Sequence, residues 1–184
     1  MNVARLLYPV EVLGPGKRMG IWLCGCPHGC PGCSNPELWQ FRPEYETTAQ
    51  SVFEMVSRVA ENYPVDGFTI TGGDPMLQAE ALLELTGLLK TISRDILVYT
   101  GYDREELEPR FLENIAVLID GKYVAQKNDG AVLRGSSNQR IHILDENFRA
   151  RYERYLETAT NEIQNFTTRD GIVSVGIHKP GFRF

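Results

Sequence analysis

The sequence is poor in cysteine: there are four in 184 residues, and all of them fall between Cys24 and Cys33. Disulfides among them could close only tiny loops and could not staple the rest of the chain, so a disulfide-framed secreted fold is excluded and the thiols read as ligands. Positive charge is not in excess either. Nineteen Lys plus Arg stand against twenty-four Asp plus Glu, a net charge of -5, with no long basic stretch set apart, which disfavours nucleic acid as the main ligand. Long apolar runs are missing; pieces such as Ile115 to Ile119 are strand-sized, far short of the ~18–20 residues of a membrane helix, so no span across a bilayer is expected. Met1-Asn2-Val3-Ala4-Arg5 lacks the charged, apolar and small-residue succession of a secretory leader, and a cytoplasmic location is the expectation. Neither G-x-S-x-G nor H-E-x-x-H occurs. Gly14-Pro15-Gly16-Lys17 fails as a P-loop, because Glu11 holds the place of the first glycine and Arg18 that of the Ser or Thr.

What is present suits one folded domain over 1–184, at the usual prior of about 150 residues per domain. Val3 to Leu13 is β-rich, Gly14-Pro15-Gly16 is a turn and Met19 to Leu23 is a short buried strand, so a hairpin or looped entry precedes the cysteines. Thr47 or Thr48 caps a helix from about Ala49 to Tyr63, with Val52, Met55, Val56, Val59 and Ala60 on one face and Pro64 after it. Phe68 to Thr71 is a strand, Gly72-Gly73 a turn, and Asp74-Pro75 a cap and first-turn proline for a second helix to about Thr91. Ile96 to Thr100 and Ile115 to Ile119 are further strands, separated by a short helix with a capping box at Asp103 and Glu106 that Pro109 stops. Apolar strands alternating with amphipathic helices belong to a mostly parallel sheet with helices on its outer face, so the fold class is α/β, a partial (βα) barrel. The segment from about 145 to 184 reads as an extension, a helix over Asp145 to Phe166 followed by a strand at Ile172 to Ile177.

The chemistry is concentrated in Cys24-Gly25-Cys26-Pro27-His28-Gly29-Cys30-Pro31-Gly32-Cys33. Cys26, Cys30 and Cys33 have the spacing C-x3-C-x2-C, and the interleaved Pro and Gly let the backbone wrap an object a few Å across. A cubane iron-sulfur cluster normally takes four cysteines, so three leave one iron with an open position for a ligand. The competing reading is a zinc staple using Cys24 as fourth ligand, a zinc-stabilised binding module. Common zinc knuckles use two separated C-x2-C pairs and this loop has one, so Cys24 is expected to end the strand as a small buried hydrophobe. His28 is expected to be solvated and not a ligand. His142, alternating with Ile141 and Ile143, is expected to be an exposed strand residue, and neither it nor His178 has a metal-site neighbourhood in sequence.

With the cysteine loop after one strand and Thr71-Gly72-Gly73-Asp74-Pro75 after the next, the chain resembles the radical S-adenosylmethionine (SAM) superfamily. Tyr8-Pro9-Val10-Glu11, Gly14-Pro15-Gly16 with Arg18, Asn35, Trp39, Tyr99 to Tyr102, Val117 to Lys122 and Arg134 to Gln139 extend the match from about Tyr8 to Ile143. They resemble the activating enzymes of anaerobic (class III) ribonucleotide reductase.

That resemblance implies one [4Fe-4S] cluster on Cys26, Cys30 and Cys33, with SAM chelating the open iron. One electron then cleaves SAM to methionine and a 5'-deoxyadenosyl radical, which abstracts a glycine α-hydrogen from the reductase. The cofactor carries this chemistry, so no catalytic acid or base is expected from the protein. The resemblance places Gly72, Gly73 and Asp74 at the SAM amino group, and Gly32, Cys33 and Ser34 along the adenine. It places Lys122 at the SAM carboxylate and a monovalent cation near Asp120, leaving Ser136 to Arg140 near SAM or the substrate without a defined role. The protein substrate implies a wide mouth; an electron donor such as flavodoxin or ferredoxin and a homodimer are further expectations. Activation of another glycyl-radical enzyme, or a small peptide-modifying radical SAM reaction, is the neighbouring reading. Departures from the family pattern are Leu13, where Asn or Asp usually stands, Cys24, where Ser or Gln is commoner, and the extra residues from about Arg149 to Phe184. Anaerobic reconstitution should give a brown protein whose Cys24→Ser variant keeps its cluster and whose Cys30→Ala variant loses it; metal release from Cys24→Ser would support the zinc reading instead.

Overall fold

Val3–Val10 (β1) and Arg18–Leu23 (β2) pair antiparallel around the Gly14–Gly16 turn, and β2 then starts a parallel run with Gly67–Gly72 (β3), Ile96–Tyr99 (β4) and Val117–Asp120 (β5). Arg140–Ile143 (β6) closes the other edge antiparallel to β5, so the six strands lie in sequence order. The structure is a computed structural model and describes residues 1–168 and 171–178. The mostly parallel α/β sheet expected from the sequence is present, with few helices. Ala49–Ala60 (α1) connects β2 to β3, capped by Thr48, whose hydroxyl accepts from Ser51 N at 3.1 Å; Ala79–Leu89 (α2) connects β3 to β4.

Side chains alternate across the strands and give the sheet two distinct coats. On one face Ile21, Phe68, Ile70, Ile96, Val98 and Leu118 pack with Val52 and Val56 of α1 and Leu82, Leu85 and Leu89 of α2. Each of these fully buried apolar side chains contributes about 1.5–3 kcal/mol. Met55, expected on the packed face of α1, is instead 43% exposed. On the other face Leu97, Val117 and Ile119 pack against Tyr152 of Arg149–Thr158 (α3).

The late helix is shorter than the sequence suggested. It ends at Thr158, and Ile163–Thr168 (β7) pairs antiparallel with Gly171–Gly176 (β8) as a separate hairpin. Partial burial of Gln164, Phe166 and Thr168 alternates with exposed Ile163, Asn165 and Thr167, the period of a strand where a helical stripe had been expected. Residues 179–184 of the expected extension lie outside the described residues. Two other helices also come out differently: Asp74 caps a single 3-10 turn, Pro75–Gln78, ahead of α2, and the short helix expected after Asp103 is a pair of 3-10 turns, Arg104–Glu106 and Pro109–Leu112.

At the N-terminal ends of the parallel strands, Arg18 is fully buried. Its Nε donates to Thr69 Oγ1 at 2.7 Å, and Nη2 donates to Phe68 O at 2.5 Å and to Asp95 Oδ1 at 3.1 Å. Tyr152 Oη donates to the same Asp95 oxygen at 2.7 Å, and Arg151 Nη1 lies 3.2 Å from the other. A buried charge deprived of its partner is strongly destabilising. Asp95→Ala should therefore lower unfolding free energy by about 3–5 kcal/mol and Tyr152→Phe by about 1 kcal/mol in urea titrations; an unchanged midpoint for Asp95→Ala would contradict this assignment.

Candidate functional site

At the opposite end of the sheet, where β2 and β3 finish side by side, the backbone itself joins the cysteine loop to the glycine turn. Gly73 N donates to Leu23 O at 2.6 Å and Asp74 N donates to Gly25 O at 2.7 Å. Gly72 has φ +110°, and a Cβ there would sit 2.4 Å from Leu23 O; a Cβ on Gly73 would sit 2.4 Å from Gly25 O. Any side chain at these positions would push the two strand ends apart. The sequence reading tied these glycines to the approach of a ligand, and the neighbouring chain imposes the same requirement.

Asp74 is 1% exposed and serves as the hub. Its carboxylate accepts from Met76 N at 3.0 Å, Thr100 Oγ1 at 2.9 Å and Gly101 N at 2.8 Å, and His28 Nε2 lies 2.6 Å from Oδ2. An ionised carboxylate only accepts, so Nε2 is the donor nitrogen. His28 is thus not solvated: its side chain is 6% exposed and its ring stands edge-on to Tyr102, centroids 4.7 Å apart. The expectation failed because a histidine between two cysteines carries no sign, in sequence, of a carboxylate 46 positions away.

Cys26, Cys30 and Cys33 line one cavity together with Ser34, Gly72, Gly73 and Asp74. Burial pushes the Cys26 and Cys30 thiols up, against backbone N–H groups of His28 and Tyr123 that favour their thiolates. Asn35 N points at Cys33 Sγ from 3.4 Å. Hydrogen bonds of this kind tune the electronics of a sulfur-ligated cluster. Among the described residues no group of three or more His, Cys, Asp or Glu side chains is placed to hold a single metal ion; three cysteine thiols on one cavity are the donor chemistry that an iron-sulfur cluster takes. Cys24 is fully buried elsewhere, among Val10, Trp22 and Leu38, as the sequence suggested, and does not line the cavity.

Gly32 and Lys122 do not line this cavity. Gly32 is exposed on the loop; Lys122 is exposed in an adjoining groove with Pro27 and Asp103, and its charge bears on Cys30. Asp120 faces inward to other partners: Arg140 Nη2 at 2.5 Å, Arg104 N at 2.8 Å and His142 Nε2 at 3.0 Å. Burial alone would raise the Asp120 carboxyl, but these contacts together hold it below the usual carboxylate range. Its contribution to stability is therefore present above an ordinary aspartate pKa and fades only as pH falls through the lowered one. Where a monovalent cation was expected, the guanidinium of Arg140 already stands, and His142 is partly buried against Asp120, not exposed. Ser136 to Arg140 brace the chain after β5: Gln139 Nε2 donates to Gly121 O at 2.9 Å, Asn138 Nδ2 to Lys122 O at 2.8 Å, and Ser136 Oγ accepts from Val124 N at 3.1 Å.

The sequence reading missed Trp22, Thr71, Tyr123 and Asn128, which also line the cavity, and Ser174 to His178, which give it a further wall. The mouth expected to stay wide is thus bounded by the tail hairpin. Ile172 to Ile177 gave no sign of this beyond apolarity.

The profile of the 4Fe-4S single cluster domain matches residues 12–142. The anaerobic ribonucleoside-triphosphate reductase-activating protein of Enterobacteria phage T4 is 36% identical over 148 residues, covering 77% of this chain and 93% of that protein. Proteins of the same name from Salmonella typhimurium and Escherichia coli K12 are 34% and 33% identical, each covering 74% of this chain and 96% of its own. The chain belongs to the anaerobic ribonucleoside-triphosphate reductase-activating protein family. Within that family's matched region lie the cysteine loop, the glycine turn and the Asp74 hub. Among the described residues, no helix is long and apolar enough to cross a membrane.

Removing the Asp74 carboxylate leaves buried N–H donors unmet. Asp74→Ala should destabilise the chain by about 3 kcal/mol and reduce the iron retained after reconstitution; full iron content with an unchanged urea midpoint would show that the hub is not needed.

Proposed function

We propose that this chain activates an anaerobic ribonucleoside-triphosphate reductase by installing a glycyl radical on it, using a [4Fe-4S] cluster and SAM. The observation that carries the reading is the convergence of Cys26, Cys30 and Cys33, but not Cys24, on the cavity that also holds Gly72, Gly73 and Asp74. A parallel strand core with its cavity at the C-terminal strand ends is where α/β folds bind ligands, which supports a partial (βα) barrel of the radical SAM type.

When bound, cluster and SAM supply a one-electron route to a carbon radical able to take hydrogen from an unactivated C–H bond. The chain's own work is to hold, orient and shield. The three cysteines hold the cluster; the N–H groups of His28 and Tyr123 favour the thiolates of Cys26 and Cys30, and Asn35 N points at Cys33 Sγ. The Gly72–Gly73 backbone and Ser34, which line the cavity, would hold the amino end and the adenine of SAM, and Lys122, whose charge bears on Cys30 from the adjoining groove, would offer a cation to its carboxylate. Gly32 gives the loop its turn at φ +77°. Leu13, Trp22 and Val175 make that side of the cavity apolar, which keeps competing hydrogen donors out. The substrate is a protein segment carrying the target glycine, the electron comes from a flavodoxin or ferredoxin, and the working form is a homodimer.

The reconstituted chain, reduced anaerobically with SAM and an anaerobic ribonucleotide reductase, should produce a glycyl doublet in electron paramagnetic resonance together with 5'-deoxyadenosine. 5'-Deoxyadenosine without the doublet would point to another glycyl-radical enzyme or a peptide as substrate, and neither product would refute the proposal.

A further inference from the structure

Beyond the apolar side chain of Val175, the tail hairpin brings further residues to the cavity wall. The family profile stops at residue 142, and the three relatives match over 93–96% of their own length but only 74–77% of this chain. About a quarter of this chain therefore has no counterpart in them, and α3 with the β7–β8 hairpin falls beyond the profile.

The hairpin is fixed in place by three independent contacts. Val175 is 2% exposed, in one cluster with Val10, Leu13 and Trp22. The Gln164 side chain clasps the end of β1, donating to Pro9 O at 2.7 Å and accepting from Glu11 N at 3.0 Å. On the far side, Asn128 Nδ2 donates to His178 O at 2.9 Å. The strip Ser174 to His178 thus runs from the β1 side of the cavity to the loop after β5, and each of its residues borders the cavity that the cysteines line. Ser174 Oγ and His178 Nε2 are 3.0 Å apart. Burial lowers the His178 pKa, which keeps the pair uncharged.

We infer that Ser174 and His178 bind the nucleoside half of SAM, a contact provided by a hairpin that lies beyond the region the family profile matches. The inference rests on the proposal that SAM occupies this cavity. The amino-acid half of SAM is charged and chelates iron, so its needs are met at the thiol wall and the Gly72–Gly73 turn. What remains is a neutral nucleoside with a vicinal diol and ring nitrogens, groups that both donate and accept. A neutral hydroxyl–imidazole pair offers one donor and one acceptor within a single reach, and it adds no charge that would have to be desolvated.

The test is equilibrium dialysis of SAM against the full-length, anaerobically reconstituted protein and its Ser174→Ala, His178→Gln and double variants. Ile172→Ala, on the 67% exposed part of the hairpin, is the control. Each single change should weaken SAM binding by roughly five-fold and the double change by more than ten-fold, with iron content and thermal midpoint unchanged. Displacement by 5'-methylthioadenosine, which keeps the nucleoside, should weaken in parallel; displacement by methionine, which lacks it, should not. Variants that bind SAM as tightly as the parent, or that lose methionine and 5'-methylthioadenosine equally, would overturn the assignment of the two residues while leaving the proposed function standing. A parent protein that takes up the cluster but does not bind SAM would overturn both.

Discussion

Two backbone hydrogen bonds and one carboxylate decide where the chemistry can happen. Gly73 N to Leu23 O and Asp74 N to Gly25 O join the ends of β2 and β3, and Asp74 then reaches across to His28 inside the cysteine loop. Neither glycine tolerates a side chain there, since the opposing carbonyl oxygens would lie 2.4 Å from it. A loop rich in Pro and Gly has little structure of its own; it has a fixed place because it is tied to a strand end that the core holds rigid. The thiols, the glycine turn and Thr100 at the end of β4 consequently share one cavity.

The core that supplies this rigidity has two unlike halves. α1 and α2 coat one face of the sheet with aliphatic side chains, in the manner expected of parallel strands buried on both sides. α3 and the tail hairpin coat part of the other. Arg18, Asp95 and Tyr152 bind α3 to the strands at the end remote from the cysteines. Val175 brings the hairpin to the cavity itself. The tail therefore acts at both ends of the sheet, as part of the core at one and as a cavity wall at the other.

Much of this was legible in the residues. The alternation of apolar strands with capped, amphipathic helices announced the parallel sheet, and Thr48 caps α1 as its position suggested. The C-x3-C-x2-C spacing separated Cys24 from the other three thiols before any geometry was known, because local spacing encodes local convergence. What could not be read were relations between distant segments: His28 bonded to Asp74, Asp120 paired with Arg140, and Ser174 to His178 bordering the same cavity as the cysteines. The run from Ile163 to Thr168 misled for a related reason. Its phenylalanine and isoleucine continue the helical stripe of α3, and only pairing with β8 selects the strand.

The account stands or falls on a cluster held by three thiols, with its remaining iron free to take a ligand. Mössbauer spectroscopy of protein reconstituted with iron-57 addresses this directly. On addition of SAM, about a quarter of the iron signal should shift to the parameters of a site with nitrogen or oxygen ligands while the rest stays sulfur-ligated. A spectrum in which all the iron remains equivalent and unmoved by SAM would contradict the central claim.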